Sequence, residues 1–324
     1  MSSASPAASL KRHEPSLLGP ALVILGASMW GLETFWRLRL TQVFSSDVLV
    51  FHEHWIGLIL TSPFIILGAR ALRSVSLHAW WSILLSGVLG SALGTVCFTE
   101  ALTLMNPSLA NLLLNVQPII SVLVSWFWLR ERPRASFYPW AAAALVCGVA
   151  LAWSSDALGS PGRLGEGLLF LVGTAFCWGA STTFGRGAMV EIDFKTGTGL
   201  RYLIGTIATF VIVVARGQQS QLHAAELLHP AVLRDMVSLL LFAAITPTFI
   251  YFAGLARTRA SVATFAEMAQ TFASLLITWG VLGNALTPPQ LIAGALLLVA
   301  VHFINRSVDE AQPPPEPVVA LTTG

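Results

Sequence analysis

About ten stretches of roughly twenty apolar residues follow one another through this chain, parted by only a few polar residues each. A bilayer core about 30 Å thick is crossed by a helix of about 20 such residues. Within lipid, only helices and closed barrels satisfy their own backbone polar groups. The expected spans are 17–36, 48–69, 79–104, 107–129, 136–154, 164–188, 196–215, 232–256, 260–282 and 288–305, with turn signals such as "MNP" before Ser108 and "ALTPP" before Gln290 dividing them. The fold class this predicts is an all-α polytopic membrane protein of ten transmembrane helices. Charge agrees, because Asp, Glu, Lys and Arg make up only 10% of the 324 residues, whereas a soluble domain carries about 25%. A water-soluble enzyme is excluded on that ground. A net charge of +2 with scattered basic residues leaves no electrostatic footprint for nucleic acid.

Lys and Arg accumulate on the cytoplasmic side of a membrane protein. With the N-terminus inside, thirteen of them fall at inner ends, including Lys11, Arg12, Arg130, Arg132, Arg134 and Arg201, and five at outer ends, namely Arg37, Arg39, Arg163, Arg216 and Arg234. Both termini are then expected in the cytoplasm. The polar, basic residues 1–16 carry no cleavage signal, so the first apolar run is expected to be retained. The proline-rich, acidic residues 306–324 are expected to form a disordered tail. Cys97, Cys147 and Cys177 lie singly in apolar runs without metal-ligand spacing and read as small core residues. No cofactor or metal motif is present.

A shift of 153 positions aligns residues 99–129 with 252–282 without a gap: Leu102 meets Leu255, Ser108 meets Ser261, Gln117 meets Gln270, Ser121 meets Ser274 and Trp126 meets Trp279. "WG" also occurs in both the first and the sixth span, as Trp30-Gly31 and Trp178-Gly179. Five spans per half make the second half run upside down, and the charges follow: "RERPR" ends the fourth span while its counterpart "GNALT" is uncharged, and "RTR" begins the ninth where the fourth has "LMN". Inverted repeats of this kind place a binding site at their interface.

With these residues the chain resembles the drug/metabolite transporter superfamily in its EamA-type branch. The likeness spans residues 17–155 and 163–305 as two five-helix repeats, and rests on the paired "WG", "NPSLANLLLNVQPIISVLVSWFWLRER" and "RASVATFAEMAQTFASLLITWGVL". Family members carry "GE" after the fourth and ninth spans; Glu131 fits the first, while Gly283-Asn284 keeps the glycine and loses the acid. The resemblance implies a secondary transporter of the plasma (cell inner) membrane, with a central cavity between helices 1–4 and 6–9. Amino acids or related metabolites, exported, are the first expectation. Organic cations, drugs or nucleobases are the alternative, and a non-transporting scaffold or receptor is the reading from another class.

Ionisable residues inside a span cost about 2.5–3.5 kcal/mol on insertion scales and so mark partners, water or a pathway. Glu33, Glu53 and Glu100 lie within roughly 10 Å of the outer surface, in one layer with Arg37, His52 and His54. Glu33 with Arg37 and Glu53 with a histidine are readable as structural pairs, or else as a proton-linked group at an outer vestibule. Arg201 and Glu267 lie toward the inner side as a fixed or gating pair. Asn111, Asn115, Gln117 and Gln270 supply mid-depth amides that serve either interhelical hydrogen bonding or a polar substrate. Trp30, Trp55 and Trp178 supply an aromatic wall or packing. The expected partners are thus a small-molecule substrate, a coupling proton and the lipid bilayer, with monomer and homodimer both open. An intramembrane enzyme lacks support, because "HEHW" at 52–55 is not HExxH and "GTG" at 197–199 is too short for a phosphate loop.

Overall fold

The computed structural model describes residues 17–128, 130, 132–153, 161–222, 225–255 and 268–309. The regular structure of these residues is helical throughout. Eight helices are long and apolar enough to cross a membrane: α1 (Leu18–Leu40), α2 (Ser46–Gly68), α3 (Leu77–Leu104), α4 (Pro107–Trp128), α6 (Gly165–Met189), α7 (Phe194–Ala215), α8 (Pro230–Tyr251) and α10 (Pro288–Ser307). Two shorter apolar helices, α5 (Phe137–Leu151) and α9 (Ala269–Val281), stand where the fifth and ninth spans are expected. The opening of the ninth span with Glu267, the N-terminal segment 1–16, Glu131 and the tail from 310 onward lie outside the described residues.

Local chemistry sets several helix starts. Ser76 caps α3 by accepting from the Ala79 N–H. Asn106 caps α4 from the Ser108 and Leu109 N–H groups, with Pro107 as first helical residue. Asp193 caps α7 from Lys195 and Thr196. Each satisfies donors that the first helical turn leaves without intrahelical partners. The Asn106 cap explains why "MNP" needs only a two-residue break between α3 and α4. "GTG" sits inside α7 as helix, not as a loop.

The helices pack in pairs that map onto themselves when the halves are exchanged. Helix α1 packs on α8 and α9 while α6 packs on α3 and α4, and α2 pairs with α7 as α5 does with α10. Glycines allow the α2–α7 approach. A Cβ at Gly57 would collide with the Tyr202 ring, and one at Gly205 with the His54 ring. One apolar cluster unites α3, α4, α5, α6 and α10, and another unites α1, α2, α7 and α8. Leu67, Val146, Val172, Val211 and Ile292 point outward and are more than half exposed, as side chains facing lipid are.

Three helices widen locally into π-helix, at Ser86–Gly94 in α3, Leu239–Ile245 in α8 and Leu276–Val281 in α9. The first two begin 153 residues apart, the same offset that aligns the halves. Each has a local cause. In α3 the Gly90 carbonyl accepts from the Thr95 hydroxyl and from the Trp178 indole, both at 3.0 Å. In α8 the segment runs up to Pro247, which has no N–H to continue the α-helical ladder.

Candidate binding cavity

Between the two apolar clusters lies a cavity of about 470 Å³, within the roughly 300–1,000 Å³ usual for small-molecule sites. Its wall is drawn from α1, α2, α3, α4, α6, α7, α8, α9 and the end of α10, whereas α5 contributes nothing. It reaches Met189, Thr198 and Asn305 at one end and Glu33 with Glu53 toward the other.

The Glu33 end is closed by a buried charge cluster. Arg37, 1% exposed, donates from Nη1 to Glu53 Oε2 at 3.0 Å and to the Thr99 hydroxyl at 3.0 Å. From Nη2 it reaches Glu53 Oε1 at 3.3 Å and Glu33 Oε2 at 3.4 Å. One guanidinium thus ties α1, α2 and α3 together. Farther out, Arg39 Nε meets Asp235 Oδ2 at 2.7 Å, joining α1 to α8.

The amides expected at mid-depth do line the cavity, and they also bond between helices. Asn111 Nδ2 donates to the Thr34 hydroxyl at 3.1 Å, linking α4 to α1. Asn115 Oδ1 accepts from Thr271 at 2.9 Å, linking α4 to α9. Gln117 and Gln270 complete the amide lining. Trp30 and Trp178 are on the wall too, the first against Tyr251 at 4.8 Å and the second against Phe98 at 5.0 Å between ring centres.

Some expected residues fall elsewhere. Trp55 is absent from the lining; its indole donates to His52 Nδ1 at 2.8 Å and its ring joins the apolar cluster of α1, α2, α7 and α8. It follows Glu53 by two residues, and two steps of about 100° turn it to the other side of the helix. Glu100 is also off the wall, turned about 100° from Thr99, which holds Arg37. Glu53 pairs with Arg37 rather than with a histidine, because the His52 ring is engaged by Trp55 while His54 Nδ1 donates to its own Val50 carbonyl at 2.7 Å. The expected pairing of Glu33 with Arg37 is present. Arg201 lines the cavity, and its proposed partner Glu267 lies outside the described residues.

Sequence reasoning passed over Tyr202, His54 and Ser181 as lining. A tyrosine directly after Arg201 inside an apolar span is the one legible signal among them. Ser181 carries none, since serine is ordinary in a packed transmembrane helix.

A helical membrane bundle enclosing a polar cavity, lined by both halves of its chain, defines a class of polytopic membrane proteins with an embedded site. The chain belongs to the EamA-like transporter family, whose model matches it twice, at residues 17–154 and 165–306. It is 27% identical over 300 residues to the riboflavin transporter ImpX of Fusobacterium nucleatum subsp. nucleatum, covering 89% of this chain and 97% of that protein. A solved crystal structure superposes with a TM-score of 0.56 at 18% identity, covering 88% of this chain and 95% of that one, so the two share a fold. Membership in this family makes the chain a multi-pass membrane transporter rather than an enzyme.

Proposed function

We propose that this protein is a secondary active transporter that carries a small polar metabolite through the cavity by alternating access. The observation that carries this is the cavity itself, one polar chamber assembled from α1–α4, α6–α9 and the end of α10. Two inverted five-helix repeats, 17–155 and 163–305, with both termini cytoplasmic, underlie the motion. The exchange-symmetric packing, the π segments 153 residues apart and the twofold family match support that arrangement. The cavity reaches Met189, Thr198 and Asn305 at the face expected to be cytoplasmic, while the Arg37 cluster and the Arg39–Asp235 pair close the other.

The substrate class follows from the wall. Asparagine and glutamine amides beside Trp30, Trp178 and Tyr202 suit a planar ring edged with hydrogen-bonding groups, and the relative named as a riboflavin transporter makes flavins the first compounds to try. Amino acids or related zwitterions, exported, are a second reading. It is favoured by opposite charges on separate helices of one chamber, Glu33 on α1 and Arg201 on α7. Two carboxylates share one guanidinium in the Arg37 cluster, which leaves one negative charge for a coupling proton to balance.

Counterflow in proteoliposomes tests the proposal, using labelled flavins, amino acids, nucleobases and organic cations with and without a proton gradient. Saturable exchange of one class is expected. Flux that rises linearly with concentration, or no exchange of any class, would refute a carrier.

A further inference from the structure

Arg201 is a cation left over. It projects from α7 into the cavity wall, yet among the described residues no carboxylate pairs with it and no acceptor takes its hydrogen bonds, and its Nε is buried without a partner. The cavity's two described carboxylates, Glu33 and Glu53, are both held by Arg37.

The neutral acceptors beside Arg201 are engaged as well. A Cβ at Gly90 would stand 3.0 Å from Arg201 Nη2 and would collide with Ser181 Oγ, so the guanidinium lies against that turn of α3. The Gly90 carbonyl already accepts from Thr95 and Trp178, which uses the two lone pairs of a carbonyl oxygen. Ser181 Oγ donates to the Ser86 carbonyl at 2.9 Å, and the two hydroxyls are 3.1 Å apart. Glycine at position 90 thus makes room for a guanidinium that no described neighbour neutralises.

A guanidinium inside a spanning bundle, its Nε buried without a partner, is stabilised by a counter-charge, and its planar fork fits a carboxylate or a phosphate. We propose that Arg201 is the anchor for an oxyanion carried by the transported solute. The substrate is then an acidic metabolite, with its ring or polar body against Trp178, Tyr202 and the amides and its carboxylate or phosphate on Arg201. This rests on the cavity being the transport site.

The test is equilibrium binding to the full chain in lipid nanodiscs, with two pairs of solutes that differ in their oxyanion. N-Acetylphenylalanine against N-acetylphenylalaninamide probes a carboxylate, and flavin mononucleotide against riboflavin a phosphate. In at least one pair the acidic member is expected to bind at least ten-fold more tightly than its neutral twin. Arg201→Gln should bring that ratio to about one, chiefly by lowering the acid's affinity; Arg201→Lys should keep part of it. A ratio unchanged in Arg201→Gln would overturn the proposal, as would the lack of preference for the acid in both pairs, including the case where no member binds. If Arg201→Gln does not fold, wild-type protein is treated with the arginine reagent phenylglyoxal, and modification of Arg201 is read by peptide mass spectrometry. The preferred acid should slow that modification, and equal modification with and without it would overturn the proposal. Saturable counterflow of a neutral solute without acid preference would sink the anchor and keep the carrier. Acid preference without counterflow of any solute would do the reverse.

Discussion

Replacing Arg37 by methionine removes a guanidinium that makes four hydrogen bonds, two to Glu53, one to Glu33 and one to Thr99. Methionine keeps most of the aliphatic stem, so the loss is chiefly electrostatic. It falls hardest on Glu53, whose side chain is 7% exposed and whose described cationic partner is gone. Leaving one member of a buried pair unpartnered costs about 3–5 kcal/mol. Adding Glu53→Gln removes the more deeply buried of the two orphaned charges, and what remains is the less buried Glu33 carboxylate, 18% exposed, with the loss of neutral hydrogen bonds at about 0.5–1.5 kcal/mol each. The double variant Arg37→Met/Glu53→Gln should therefore be more stable than Arg37→Met alone by roughly 2–3 kcal/mol. Denaturant unfolding in detergent micelles at pH 7, followed by tryptophan fluorescence, measures both variants against wild type. A double variant no more stable than Arg37→Met would show that Glu53 is not held by Arg37 as described. It would also remove the charge count from which proton coupling is inferred.

Glu33→Gln leaves one carboxylate for one guanidinium, so the pH dependence of transport in proteoliposomes should flatten; an unchanged pH–rate profile at equal protein content would refute the coupling role of the spare acid. At the face where α6 ends, the Glu191 carboxylate accepts from the Ser76 N–H at 2.7 Å and from its hydroxyl at 2.6 Å, and these bonds hold its pKa below the ordinary 4.5. A depressed carboxylate pKa contributes stability above the ordinary value and loses it as pH falls through the folded value. Wild type should thus exceed Glu191→Gln slightly in melting temperature at neutral pH, with the gap closing under acid below that range; a gap that widens on acidification would contradict the assignment. Gly205→Leu drives a side chain into His54 and should cost about 1–3 kcal/mol or more, whereas Gly280→Ala meets open space and should be neutral or stabilising by up to about 1 kcal/mol. Thermal unfolding of the two variants side by side separates these outcomes.

Helix positions were legible because lipid imposes one rule on the whole chain: a span must be apolar over its length. That rule locates α1–α4, α6–α8 and α10 within a few residues, but it is blind to how a helix continues past the apolar stretch. Helix α1 runs on to Leu40, beyond the expected end at residue 36, because the Arg37 and Arg39 side chains find acids on α2 and α8. Charged residues that look like a terminus in sequence are here the last turns of a helix. The widened turn at Ser86–Gly94 is hidden in the same way. "GVLGSALG" announces small residues, and small residues allow an ordinary close approach as readily as a π segment. The indole that takes the Gly90 carbonyl arrives from Trp178, 88 residues on.

The site was legible as a set of residues and not as a set of roles. Depth along a span tells which side chains share a layer, and so brings Glu33, Glu53 and Arg37 together. Direction around the helix depends on which neighbour each face meets, and that turned Trp55 and Glu100 away from the cavity while bringing His54 and Tyr202 to it. Partnership is harder still, because acids in a spanning helix compete for few cations. Arg37 lies within reach of both Glu33 and Glu53 and binds both, which leaves Arg201 without either. Among the described residues the cavity's two acids are gathered at one end while Arg201 faces the chamber, and that unequal distribution gives the cavity a polarity a substrate can recognise.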